Sequence, residues 1–237
     1  MCWSATTSIV TLCVGTLLNV VSYSLLRSWK SPVSILVWSW QYALFMQIPE
    51  AVVWFQLENS GDVSAASRVA MVLNITQPVA LLIGIRIGGL YHEFRYAYAV
   101  MLLYTVAILS QMDVIWRLSE SIAPEEGCPH LDLRYWNTSR GLIYVATSLL
   151  VVSEARPVFW ALVNASIFTV TLLLAIVVYP CGVGSVWCWF IFVTGPILVV
   201  ADRARDRTRA WVERRRQHVT PERTKPPVPI QWRKPRI

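Results

Sequence analysis

Among the side chains inside long apolar stretches of this chain that can hydrogen-bond or carry a proton, seven stand out: Asn19, Gln41, Gln47, Glu50, Asn74, Gln77 and Asp113. Such groups are costly in an apolar surrounding, so each marks either helix packing or a route for a solute. Their spacing narrows the chemistry. Asn74 and Gln77 are three residues apart, as are Gln47 and Glu50, so each pair shares one face of a helix. Pro49 precedes Glu50 and Pro78 follows Gln77. Each proline frees a backbone carbonyl that a substrate or a neighbouring donor can use. Glu50 has no basic neighbour and is the first candidate for a proton-titrating group; Asp113, the second, has Arg117 four residues on.

Patterns for covalent or metal chemistry are missing from the sequence. None of the apolar stretches holds a lysine, which excludes a retinal Schiff base. The histidines, His92, His130 and His218, are scattered, and no Cys-x-x-Cys occurs, so neither a metal site nor a haem is expected. There is no Gly-x-Ser-x-Gly and no Walker loop, and Glu50 and Asp113 sit in no aspartyl-dyad motif. The expectation is a protein without a cofactor and without catalysis. Twelve tryptophans complete the picture. Trp3, Trp29, Trp54, Trp116, Trp136 and Trp187 fall where an interfacial belt would lie, while Trp38, Trp40, Trp160 and Trp189 fall deeper, at packing or path-lining positions.

The elements that must position these groups follow from composition. Hydrophobic residues make up 55% and charged residues 15% of 237, against about 25% charged in a soluble chain. Mean hydropathy is +0.49. Residues 201–237 hold 12 of the 21 Lys and Arg and 4 of the 14 Asp and Glu, while residues 1–200 are almost neutral. A cytosolic enzyme, a disordered chain and a whole-chain nucleic-acid binder are thereby excluded. Seven stretches approach the roughly 20 apolar residues a bilayer-crossing helix needs: 8–26, 32–57, 65–87, 96–116, 136–152, 158–179 and 185–200. The expected fold is all-α, a seven-helix transmembrane domain over 1–200 followed by a basic, Pro-rich tail over 201–237.

Charge orients the bundle. With the N-terminus outside, the inner segments and tail carry 17 basic residues and the outer segments 4. The positive-inside rule therefore puts the N-terminus outside or in a lumen and the C-terminus in the cytosol. Residues 1–7 carry no basic residue, so a cleavable signal peptide is not expected and the first span should stay as an anchor. The connection 117–140 is acidic and holds the sequon Asn137-Thr138-Ser139, a candidate glycosylation site on an outer face. The sequons at Asn74 and Asn164 lie inside spans, beyond a glycosyltransferase's reach. Cys13 reads as a buried apolar filler, while Cys128 and Cys181 fall on the outer side, where a bridge or two free thiols are equally consistent.

Two short parallels suggest an internal repeat. Lys30-Ser31-Pro32-Val33 opens the second span and Arg156-Pro157-Val158 the sixth. Thr76-Gln77-Pro78 and Thr194-Gly195-Pro196 stand in the third and seventh. A parallel 3+1+3 arrangement would follow, although a proline in a helix's first turn beside a basic residue needs no duplication to explain it. In the tail, 202–217 reads as a charged helix lying against an anionic inner leaflet, where each basic side chain contributes about 1 kcal/mol. Arg223, Pro226 and Pro229 fit the Arg-x-x-Pro-x-x-Pro pattern of ligands for SH3-like domains.

Met1-Cys2-Trp3-Ser4, Gln47-x-x-Glu50, Gln77-Pro78 and Gly184-Ser185-x-Trp187-Cys188-Trp189 resemble the motifs of a family of small multi-pass membrane proteins found in bacteria and in large DNA viruses of algae and protists. The likeness covers roughly residues 1–200 and excludes the tail. It implies a heptahelical fold and no particular activity. A viral membership would imply a host or virion membrane, and the motif positions imply Cys2–Cys188 as a rival disulfide. Taken together, the residues point first to a small-solute or proton-linked transporter. The alternative is a receptor-like or scaffolding membrane protein whose tail recruits a cytosolic partner.

Overall fold

The computed structural model describes residues 4–26, 32–89, 95–120, 123–124, 131–132, 138–153, 155, 157–178 and 191–219. The chain divides into two compact units, Met1–Val200 and Ala201–Ile237. Among the described residues the first unit is mainly helical, with short turns and a two-residue antiparallel ladder of β1 (Ala123–Pro124) with β2 (Leu131–Asp132). Its helices are α1 (Ala5–Leu25), α2 (Pro32–Leu44), α3 (Gln47–Glu58), α4 (Ser64–Ile87), α5 (Arg95–Leu109), α6 (Met112–Ser119), α7 (Thr138–Ser153) and α8 (Val158–Val178). A single 3-10 turn at Ile191–Val193 leads into α9 (Thr194–Val219), whose later residues belong to the second unit.

Three of these helices, α1, α4 and α8, are long and apolar enough to cross a membrane, and the pair α5 and α6 makes a fourth if it counts as one broken span. They coincide with the expected first, third and sixth spans. The expected second span is interrupted, for a legible reason. Pro49 has no N–H to offer the Phe45 carbonyl, and the helix breaks there. The Phe45 carbonyl accepts instead from the Ile48 N–H at 3.0 Å, and α3 restarts at Gln47.

The expected fourth span bends by 63° between α5 and α6. There Ser110 Oγ and Gln111 Nε2 donate to the Ala107 carbonyl at 2.9 and 3.2 Å, competing for an acceptor of the backbone ladder. Pro78, by contrast, stays inside α4. One turn before it, the Ile75 carbonyl accepts from the Tyr104 hydroxyl at 2.8 Å. The fifth span becomes the shorter apolar helix α7, and of 185–200 the described part is the 3-10 turn and the start of α9. The two Thr-x-Pro triplets differ in setting: Pro78 lies mid-helix, whereas Pro196 lies in the first turn of α9.

The core gathers around α2 and α4. Helix α1 packs on α2, α3 and the 3-10 turn; α2 and α3 pack on α4; α4 packs on α6 and α7; and α7 packs on α5 and α8. Glycines allow the closest approaches. A Cβ on Gly84 of α4 would overlap Ser39 Oγ of α2 and lie 2.9 Å from Ser39 Cβ, so only hydrogen fits. Leu17 of α1, Leu102 and Leu103 of α5, and Leu162 of α8 point outward and are more than half exposed. Apolar helices with apolar outer faces are compatible with integration into a bilayer. Cys13 belongs to that outer surface: it is an exposed free thiol, not the buried filler its position suggested.

Candidate functional site

Buried polar side chains of the first unit pair across its helix interfaces in three clusters. On α1 and α2, Asn19 Nδ2 donates to Gln41 Oε1 at 2.7 Å, and Gln41 Nε2 donates to Thr16 Oγ1 at 2.9 Å. Asn19 Oδ1 is buried and makes no hydrogen bond. It lies against Gly195 at the start of α9, where a Cβ would overlap it. Thr16, Asn19 and Gln41 also border a mainly apolar cleft with Val20, Val37, Trp38 and Phe45.

Trp40, next to Gln41 on α2, faces another neighbour. Its Nε1 donates to Asn164 Oδ1 on α8 at 3.1 Å, and Asn164 Nδ2 donates to the Trp160 carbonyl at 2.8 Å. One turn further along α8, the Phe168 ring lies 6.5 Å from that of Tyr144 on α7. The Tyr144 hydroxyl donates to Gln77 Oε1 on α4, and Gln77 Nε2 donates to Asn74 Oδ1 at 3.2 Å. Three hydrogen-bonded clusters thus join α1 to α2, α2 to α8 and α7 to α4, with the Phe168–Tyr144 ring contact between α8 and α7. Their amides sit on helices because a helix satisfies its own backbone and leaves side chains to pair across the interfaces.

Gln47 and Glu50 occupy the first turn of α3, immediately after the break, and are 0% and 1% exposed. An acidic residue in a helix's first turn is favoured by the partial positive charge there. Helix α3 as a whole packs on α1 and α4. Asp113 stands apart. It lies on the exposed side of α6, and Arg117 Nε donates to its backbone carbonyl at 3.2 Å. Of the seven polar residues read from the sequence, the structure therefore brings six into the buried interior and leaves Asp113 on the surface.

A second polar group lies at one end of the same unit. Arg68 on α4 pairs with Glu120, and its guanidinium lies 4.8 Å from the Trp116 ring centroid. Arg140 of α7 is buried, and its Nε donates to Gln111 Oε1 at 2.9 Å, at the bend between α5 and α6. In the loop before α4, Asp62 accepts from the Ser64 N–H and hydroxyl at 2.8 Å each. The Ser64 backbone bond first, then the hydroxyl, hold the Asp62 carboxyl below its ordinary range.

Sequence reasoning missed Tyr144 and the Trp40–Asn164 pair. The signal for the latter was present: an asparagine in the most apolar span needs a partner, and a tryptophan at mid-span can supply its single donor. Among the described residues no group of three or more His, Cys, Asp or Glu could hold a metal ion. Cys2, Cys128, Cys181, Cys188, Asn137, Arg223, Pro226 and Pro229 lie outside the described residues.

No family model, curated protein or solved structure matches this chain. The functional reading therefore rests on the residues alone.

Proposed function

We propose that this chain is a seven-span membrane protein that carries a small solute in exchange or symport with protons, with Glu50 as the titrating group. The observation that carries the reading is the break at Phe45–Met46, which starts a new helix inside the unit with Gln47 and Glu50 buried in its first turn. Discontinuous helices whose ends meet polar groups at depth are the usual way a transporter builds a binding site in a bilayer. An ionisable group held at that position in an apolar protein is a functional site by default.

Seven spans are reached by taking α2 with α3 and α5 with α6 as broken spans, together with α1, α4, α7, α8 and the segment 185–200. The N-terminus is then outside and the tail cytosolic, as the distribution of basic residues favours. Asn19, Gln41, Asn74 and Gln77 line or brace the path.

The alternative, a receptor-like or scaffolding protein whose tail recruits an SH3-like partner, draws support from the closed amide pairs Asn19–Gln41 and Asn74–Gln77. Pairs of this kind are also ordinary helix-packing contacts. Reconstituted liposomes separate the readings. Under an imposed pH gradient and a broad panel of small solutes, the carrier accumulates at least one solute, and Glu50→Gln abolishes the pH dependence without loss of fold. No accumulation across the panel by correctly incorporated protein turns the account to the second reading, for which deletion of residues 218–237 should abolish partner recruitment.

A further inference from the structure

The second unit carries a surface that the transport reading does not use. Residues 201–219 hold seven arginines and three carboxylates, all within the continuous helix α9. At about 100° per residue, Ala201, Ala204, Thr208, Trp211 and Val212 share one arc of the helix. Arg203, Arg207 and Arg214 border that arc on one side, and Arg205, Arg209 and Arg216 border it on the other. Asp202, Asp206 and Glu213 fall on the opposite face. The sorting is complete: no carboxylate interrupts the apolar strip or either arginine row.

Side-chain placement agrees with this division. Trp211 is half exposed, and the Arg215 guanidinium lies 4.3 Å from its ring centroid, so the one arginine within the strip is laid along the indole. Arg203, Arg207, Arg209 and Arg214 are exposed.

We propose that this part of α9 is a lipid-headgroup recognition surface, and that its partner is a bilayer leaflet rich in anionic phospholipid. A strip with one large aromatic and otherwise small side chains buries little apolar area, so it cannot hold a neutral membrane by itself. Two arginine rows at its edges supply what the strip lacks. Their aliphatic stems lie along the strip while the guanidiniums reach outward to phosphate and carboxylate groups, and an indole prefers that interfacial depth. The carboxylates on the far face stay in water. A nucleic acid would engage the arginines but leave the apolar strip and Trp211 exposed, which makes lipid the better fit. The proposal rests on the chain being a membrane protein and is independent of whether it transports.

The test uses the full chain in nanodiscs, whose two faces are both open to solution. Incorporation is read first, by co-elution of protein with lipid, so that a failure to insert is seen separately. Trypsin cleavage at the α9 arginines is then followed by mass spectrometry in phosphatidylcholine discs and in discs with phosphatidylserine added. Cleavage should slow roughly tenfold in the anionic discs, and the protection should vanish at high salt, as an electrostatic attachment requires. Trp211→Glu and the triple change Arg203→Gln, Arg207→Gln, Arg214→Gln should each remove it, while Asp206→Asn should not. Equal cleavage in the two kinds of disc would overturn the proposal. Salt-resistant protection in both would overturn it as well, because the helix would then be covered by protein.

Discussion

Gly195 backs directly onto Asn19: a methyl group at position 195 would overlap Asn19 Oδ1 and come within 3.2 Å of Ser22 Oγ. Asn19 cannot swing aside freely, because its amide is tied to Gln41 at 2.7 Å. The start of α9 is therefore seated against α1 by a contact that tolerates hydrogen alone.

Gly195→Ala should accordingly destabilise the protein by about 1 to 3 kcal/mol, the usual cost of adding a methyl to a filled interface. Thermal unfolding of the detergent-solubilised protein would measure it. Removing the obstructing oxygen by Asn19→Ala in the same chain should recover part of that loss. A Gly195→Ala variant as stable as the wild type would show that the contact can relax.

The bond between Trp40 and Asn164 predicts a coupling. Replacing Trp40 with Phe and Asn164 with Ala, singly and together, forms a double-mutant cycle across α2 and α8. Polar pairs in membranes average about 0.6 kcal/mol and reach about 1.7 kcal/mol, and this buried pair should fall within that range. Additive effects of the two changes would mean that the bond contributes nothing.

At the opposite extreme, the Arg68–Glu120 pair is partly open, with side chains 35% and 44% exposed. Screening reduces such pairs, so Glu120→Gln should shift stability by less than about 1 kcal/mol in a denaturation measurement. A larger loss would show that Arg68 depends on Glu120 to hold its place over Trp116.

Asp62 supplies a pH prediction whose sign is fixed by its bonds to Ser64. Its folded carboxyl titrates below the ordinary 3.8 because the Ser64 N–H and hydroxyl favour the anion. Its contribution is thus fully present above the unfolded value and is lost as pH falls through the folded one. NMR titration should find Asp62 below 3.8, with Ser64→Ala moving it upward. An unchanged midpoint in that variant would count against the hydroxyl's part in it.

Residues legible from sequence alone were those governed by local rules. The long apolar runs became α1, α4 and α8, and α4 continues through Pro78. Burial of Asn19, Gln41, Asn74 and Gln77 followed from their position in apolar surroundings. Breaks were less visible. A hydropathy window reads 32–57 as one span because it gives Pro49 no special weight, although the physics of proline places the interruption four residues earlier. The bend after α5 falls where Ser110 and Gln111 both donate to one carbonyl, a pairing no window detects. Partners were least visible of all. Tyr144 reaches Gln77 across 67 residues and Trp40 reaches Asn164 across 124, and such pairings are set by packing. Asp113 misled for a related reason: on a helix that has turned by 63°, it no longer points where a straight span would send it.

The account depends most on the chain crossing a bilayer an odd number of times, which places its two ends on opposite sides. Epitope tags at the N- and C-termini, probed with antibody on intact and then on permeabilised cells, test this directly. The prediction is an N-terminal tag stained on intact cells and a C-terminal tag stained only after permeabilisation. Both tags stained on the same side would contradict the seven-span orientation, and a C-terminal tag stained on intact cells would contradict the assignment of α9 to a cytosolic leaflet.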